Sequence, residues 1–297
     1  MRKQLLGLSV VLLVILTAGC NTSDILSAFE KLVQDAKEGT DEVPLSESGI
    51  VHDSDKIICG SWNIQDFGPS KTADNAVMGT IASVVDDYSL MAVQEVSNIE
   101  CEDGSCNTID GILNRLPSDY KCILSSRVGR SSNKEQYAIL FNRKVFGVKN
   151  TELYVDNYDI FEREPFIAHM QKLNGPDFLI VIVHLRPSDV PKEIAGLETV
   201  LEYAKAKYGD QDLMLVGDLN GDCAYYSGPL FPSMINLIPD YADTTVGNTD
   251  CAYDRIIITP STSAYVEGVN VGYVDRRAEI TQKVSDHYPV YFVWRGA

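Results

Sequence analysis

From Lys56 to Trp294 the chain alternates short apolar runs with amphipathic stretches. Runs of strand length and strand composition fall at 57–64, 90–96, 120–125, 137–142, 166–173, 178–185, 213–218, 255–259 and 288–294. Two stretches repeat instead with the helical period. In 76–88, Val77, Ile81, Val84, Val85 and Tyr88 share one face; in 192–208, Ile194, Leu197, Leu201, Ala204 and Tyr208 do. Asp74 stands where an N-cap is needed for the first, and Gly209 where the second must stop. Strands alternating with helices predict an α/β domain.

The polar interruptions of this pattern are ordered. Asn63, Glu95, His184 and Asp218 close apolar runs, with Asn220 two residues beyond the last. Asp254 and the pair Asp286-His287 come just before runs. Strand ends and strand starts meet at one sheet edge only if the last strands run opposite to the others. The pattern therefore predicts mixed sheets, and no glycine-rich dinucleotide fingerprint is present to argue for a parallel one.

The N-terminal segment has a different character. Arg2 and Lys3 precede an apolar run from Leu5 to Leu16, short of the about 20 residues that a spanning helix needs. Thr17-Ala18-Gly19-Cys20 ends it, and small residues before a cysteine resemble a bacterial lipoprotein signal. The expected organisation is a signal peptide at 1–19, a lipidated Cys20 with a tether at 20–50, and one domain at 51–297. The tether could hold one short amphipathic helix through Ile25, Leu26, Phe29, Leu32 and Val33. The protein is expected outside the cytoplasm, facing outward from the membrane or envelope that holds its lipid.

In that compartment disulfides persist. Besides Cys20 there are Cys59, Cys101, Cys106, Cys122, Cys223 and Cys251, an even set for which spacing alone leaves fifteen pairings. No CxxC pair occurs, which argues against zinc. The net charge of −17 argues against a broad nucleic-acid platform, which needs a basic face. It leaves phosphate chemistry open, because a bound divalent cation supplies positive charge locally.

Two histidines, several carboxylates and two carboxamides make a coherent set. Glu95, Asp218 and Asp286 are hard oxygen donors suited to magnesium, manganese or calcium. His184 and His287 suit proton transfer, and Glu135 and Asp254 are acids placed to orient them. Asn220 could donate to a phosphoryl oxygen. His52 and His169 read as structural. No nucleophile elbow or Walker loop competes.

Several stretches then carry a family likeness: Trp62-Asn63-Ile64 with Phe67-Gly68, Val93-Gln94-Glu95-Val96, Gly129-Arg130-Ser131 through Lys134-Glu135, and Arg163-Glu164-Pro165. His184 with Pro187-Ser188-Asp189 and Gly217-Asp218-Leu219-Asn220-Gly221-Asp222-Cys223 follow. Asp250-Cys251-Ala252-Tyr253-Asp254-Arg255-Ile256 and Ser285-Asp286-His287-Tyr288-Pro289-Val290 complete the series. The chain resembles the endonuclease/exonuclease/phosphatase superfamily, and within it the deoxyribonuclease I-like enzymes.

The resemblance implies a four-layer α/β/β/α sandwich of two mixed sheets flanked by helices. It implies Asn63, Glu95 and Asp286, with Asp218 facing them, as ligands of a catalytic Mg2+ or Mn2+. His184 oriented by Glu135 and His287 oriented by Asp254 become the acid–base pair; Arg163 and Asn220 grip the scissile phosphate. Asp243, Thr245 and Thr249 match a structural Ca2+ loop, and Cys223 with Cys251 a structural disulfide. Proximity suggests Cys101 with Cys106, and Cys59 with Cys122 remains by subtraction.

The pattern departs where the family nuclease reads duplex DNA: Gln65, Ser97 and Asn133 stand where it has basic or aromatic groups. The expected function is hydrolysis of extracellular DNA, with single-stranded or nicked substrates favoured, by a monomer needing no protein partner. A phosphodiesterase for phospholipid head groups or small esters is the alternative enzyme. A catalytically silent surface-binding module is the alternative outside enzymology, and the complete set of histidines and carboxylates argues against it.

Overall fold

A computed structural model describes residues 56–97, 107–130, 134–267 and 279–295. The signal segment 1–19, Cys20, the tether 20–50 with its expected helix, His52, Cys101, Cys106, Ser131 and Asn133 lie outside the described residues.

The elements run β1 (Ile57–Phe67), α1 (Pro69–Thr72), α2 (Asn75–Asp86), β2 (Leu90–Val96), α3 (Asn107–Leu113), β3 (Tyr120–Leu124), β4 (Gln136–Asn142) and β5 (Phe146–Leu153). They continue β6 (Phe166–Lys172), β7 (Asp177–His184), α4 (Val190–Tyr208), β8 (Leu213–Asp218), β9 (Ile235–Asn236), β10 (Asp254–Ile258) and β11 (Val290–Trp294). One sheet has the order β11-β1-β2-β4-β3, the other β5-β6-β7-β8-β10-β9. Only β1–β2 and β7–β8 are parallel. β10 runs antiparallel to β8, and β11 antiparallel to β1, as the placement of the polar residues requires.

Three apolar layers hold the sandwich. Ala92, Tyr137 and Ile139 from the first sheet meet Ala168, Ile180, Ile182, Val216 and Ile256 from the second. The outer face of the first sheet packs Trp62, Met91 and Val93 on Val77, Ile81 and Val85 of α2. Leu179, Val181 and Val183 pack on Leu197, Val200 and Ala204 of α4. β7 is therefore buried on both faces, which is why its sequence is a continuous apolar run rather than an alternation.

Helix ends follow the expected chemistry. Asp74 Oδ1 accepts from the Ala76 and Val77 amides at 2.9 and 3.1 Å. Gly209 ends α4 at φ +67°, a conformation glycine adopts without a Cβ clash. β5 escapes the sequence pattern, because its central residues are exposed and alternate weakly.

Cys223 and Cys251 form a disulfide across 28 residues of chain. The expected Cys59–Cys122 bridge is not formed: both are in the thiol form. They lie on β1 and β3, with β2 and β4 between them. Three strand intervals amount to about 14 Å, well beyond disulfide reach. Cys59 also packs between the sheets, whereas Cys122 packs on the helical face. The loop closed by Cys223–Cys251 predicts that the double Cys→Ser variant loses about 3–4 kcal/mol in chemical denaturation.

Candidate active site

Backbone irregularities at the tops of β1 and β2 set the first part of the site. Register slips between Asn63 and Phe67 on β1, and between Val93 and Val96 on β2. Within these bulges Asp66 and Glu95 take positive φ values of 46° and 59°. A bulge re-aims one side chain out of the sheet alternation, and here that side chain is Glu95. Its Oε2 accepts from the Asp66 amide at 2.9 Å, and its Oε1 from Asn63 Nδ2 at 2.9 Å. Burial pushes the Glu95 carboxyl up, but His184 and these hydrogen bonds outweigh it and hold the group below its ordinary value.

β7, β8 and β10 supply the next part through register alone. His184 pairs with Asp218, and Asp218 pairs with Asp254. Asp218 Oδ2 receives Asn63 Nδ2 at 3.2 Å, which joins the two sheets. Asn220, at φ 46°, donates its amide to Asp218 Oδ1 at 2.9 Å and its Nδ2 to the Leu185 carbonyl at 2.9 Å.

Each histidine has a carboxylate at its back. His184 Nδ1 lies 2.8 Å from Glu135 Oε1, and His287 Nδ1 lies 2.7 Å from Asp254 Oδ2. Both Nε2 atoms face Asp218 Oδ2, at 3.7 and 3.6 Å. Burial opposes the charge on His287, but Asp254, Asp218 and Asp286 overcome it and push the imidazole up to about 10. Burial also opposes the charge on His184, but Glu135 and Asp218 outweigh burial and Arg163 and hold the imidazole above its ordinary value. Arg163 Nε holds Glu135 Oε2 at 2.8 Å and its Nη1 reaches the His184 carbonyl at 3.3 Å, leaving Nη2 without a partner among the described residues.

Sequence reasoning gave no role to the residues that tie these pieces together. Ser285 donates to the Asn63 carbonyl at 2.7 Å and accepts from the His287 amide at 3.0 Å. Lys71 donates to the Val284 carbonyl at 2.7 Å and to the Gln65 carbonyl. Gln65 Nε2 donates to Asp286 Oδ2 at 3.0 Å. Thr244 Oγ1 accepts from the Tyr253 and Asp254 amides. Ser285, flanking Asp286-His287, was the one with a visible sequence signal.

Oxygen donors for a cation fall in two adjoining groups. Asn63 Oδ1 and Asp286 Oδ1 are buried with no hydrogen-bond partner among the described residues, and Glu95 adjoins both Asn63 and His184. An orphaned amide oxygen beside carboxylates fits a hard divalent ion. Asp218, Asp254 and His287 also place ligand atoms within 4.8 Å of one another. In that second group His287 Nδ1 and Asp254 Oδ2 already satisfy each other, so the first group is the better cation site.

Asp243, Thr245 and Thr249 meet in a separate loop. Asp243 Oδ1 accepts from Thr245 N and Oγ1, both at 3.0 Å, and Thr245 Oγ1 lies 3.3 Å from Thr249 Oγ1. This loop joins the site, because Thr245 bridges His287 and the Val246 amide donates to the Asp286 carbonyl at 2.7 Å. The structure thus brings Asn63, Glu95, Glu135, Arg163, His184, Asp218, Asn220, Asp254, Asp286 and His287 to one place, with the Asp243 loop against it. His169 lies elsewhere, on β6 against the Tyr208 ring.

Comparisons with known proteins show the family. Chicken (Gallus gallus) deoxyribonuclease-1 is 33% identical over 259 residues, spanning 77% of this chain and 89% of its own. Bovine (Bos taurus) deoxyribonuclease-1 is 32% identical over 274 residues, spanning 83% and 95%. An endonuclease/exonuclease/phosphatase family protein from Bacteroides thetaiotaomicron shares the fold, with a TM-score of 0.58 at 18% identity over 80% of this chain and 94% of its own. The profile of the endonuclease/exonuclease/phosphatase family matches residues 60–287, and the chain belongs to that family as a deoxyribonuclease I-like hydrolase.

Proposed function

We propose that this chain is an endonuclease that hydrolyses DNA outside the cytoplasm. The observation that carries the reading is the pair of buried histidine–carboxylate couples whose Nε2 atoms both approach Asp218 Oδ2. A phosphodiester between them would have a proton acceptor on one flank and a proton donor on the other. His287, whose imidazolium is backed by Asp254 at 2.7 Å, is assigned as the donor to the leaving oxygen. His184 is assigned as the acceptor from water: Glu135 fixes its tautomer and stabilises the imidazolium that forms.

Dependence on a divalent metal comes with the family. Asn63, Glu95 and Asp286, with Asp218 facing them, would hold Mg2+ or Mn2+, which supplies charge neutralisation at phosphorus when bound. Arg163 Nη2 and Asn220 would contact the non-bridging oxygens. Asp243, Thr245 and Thr249 would hold Ca2+ and brace the Asp286-His287 segment through the Thr245 bridge.

The deoxyribonuclease relatives favour DNA as substrate. Gln65 and Ser97 offer no cation to a duplex groove, so single-stranded or nicked DNA is the preferred form. The leader supports residues 1–19 as a signal peptide and 20–50 as a tether lipidated at Cys20; residues 51–297 would then form the catalytic domain, acting as a monomer.

The test is cleavage of plasmid and of single-stranded DNA by residues 48–297 with Mg2+ and Ca2+, and with EDTA. Metal-dependent cleavage that EDTA abolishes, faster on single strands, is the expected result. A folded sample that cuts neither DNA would refute the nuclease reading and turn attention to phospholipid and small-ester phosphodiesters.

A further inference from the structure

On the His184 flank, loops bearing three arginines are tied together by two buried glutamates. Glu162 Oε2 receives Arg186 Nη1 at 3.2 Å, and its Oε1 receives the Arg130 amide at 3.3 Å. Glu193, buried in the first turn of α4, accepts from the Glu162 amide at 2.6 Å and the Arg186 amide at 2.7 Å. Arg163, next in sequence to Glu162, is engaged with Glu135 and His184.

Arg186 is placed differently from Arg163. It follows His184 by two residues, just past Leu185, whose carbonyl receives Asn220. Its side chain is half exposed, and its contacts, Glu162 and Asp189 at 3.5 Å, use Nη1 alone. Nε and Nη2 are left without partners among the described residues. A guanidinium presents its donors in a planar fork that matches a phosphate bidentately. Because Glu162 and Glu193 already restrict this loop and its side chain, little ordering remains to be done on binding.

The other flank contrasts with this one. Gln65 is neutral and tied to Asp286, Lys71 points its ammonium at the Gln65 and Val284 carbonyls, and Ser97 follows β2. In a chain of net charge −17, a polyanion depends on the few local cations that border the site.

We infer that Arg186 forms a subsite for the phosphate next to the scissile one in a single-stranded polynucleotide. The inference rests on the nuclease reading and adds a specificity determinant to it. A small phosphodiester has no second phosphate to place there, so the subsite favours polynucleotides over small esters.

The test uses His287→Ala protein with Ca2+ and a labelled single-stranded oligonucleotide, following anisotropy across a salt series. Arg186→Gln removes the charge while keeping a donor for Glu162; Arg186→Lys keeps the charge and loses the fork. The Gln variant should bind about fivefold more weakly at low salt, and its log K against log salt slope should shrink by about 0.7, one phosphate contact on a single strand. The Lys variant should recover the slope. A merely structural Arg186 would lower the melting temperature of the Gln variant and leave the slope unchanged, which overturns the subsite but not the nuclease. No salt-dependent binding with Arg186 intact would overturn both.

Discussion

His287→Ala should lose at least about 100-fold in DNA cleavage rate, the usual contribution of a positioned acid or base. The imidazole is nearly buried, its Nδ1 is bound to Asp254 and its Nε2 faces Asp218 at 3.6 Å, so no water can take its place with the same alignment. The substitution also acts on stability. It leaves Asp254, fully buried and with Oδ1 without a hydrogen-bond partner among the described residues, without its counter-charge. Breaking such a pair costs about 3–5 kcal/mol, whereas replacing both members is far milder. The double variant His287→Ala/Asp254→Ala should therefore melt higher than His287→Ala alone while remaining as inactive. A single variant that keeps its rate within tenfold of the parent would remove His287 from the chemistry.

Gly217→Ala should be the most damaging change that adds only a methyl group. Gly217 sits in β8 at φ +135°, and a Cβ there would lie 2.0 Å from the Val183 carbonyl oxygen. No rotamer relieves a clash with backbone, and an L-residue is strained at that φ in any case. β7 would have to withdraw from β8 at the pairs Val183–Gly217 and His184–Asp218. The expected result is a loss of about 3 kcal/mol or more in denaturant unfolding. Activity should fall by about 100-fold even in the folded fraction, since displacing His184 from Asp218 by an ångström is enough. A variant with parental stability and rate would show that β8 can shift without moving the site.

Much of the architecture follows from local chemistry that a sequence displays. The continuous apolar run of β7, the helical period of α2 and α4, the Asp74 cap and the Gly209 stop each express a one-dimensional preference. The opposed directions of the last strands were legible too, because six chemically related groups could share an edge in only one arrangement. β5 was hidden, since its mid-strand residues are exposed and carry no alternation.

What the sequence determined by itself is the set of groups: two histidines, their carboxylates, the oxygen donors and the order in which strands present them. It could not determine which cysteines meet, because β1 and β3 become distant only once β2 and β4 are inserted between them. Nor could it show that Glu95 is turned by a bulge, that Ser285 and Lys71 staple the Asp286-His287 segment to β1, or that Glu162 and Glu193 hold Arg186 in place. Those depend on contacts between residues far apart in the chain. Such contacts take form only when the two sheets have packed and water has left the groups between them.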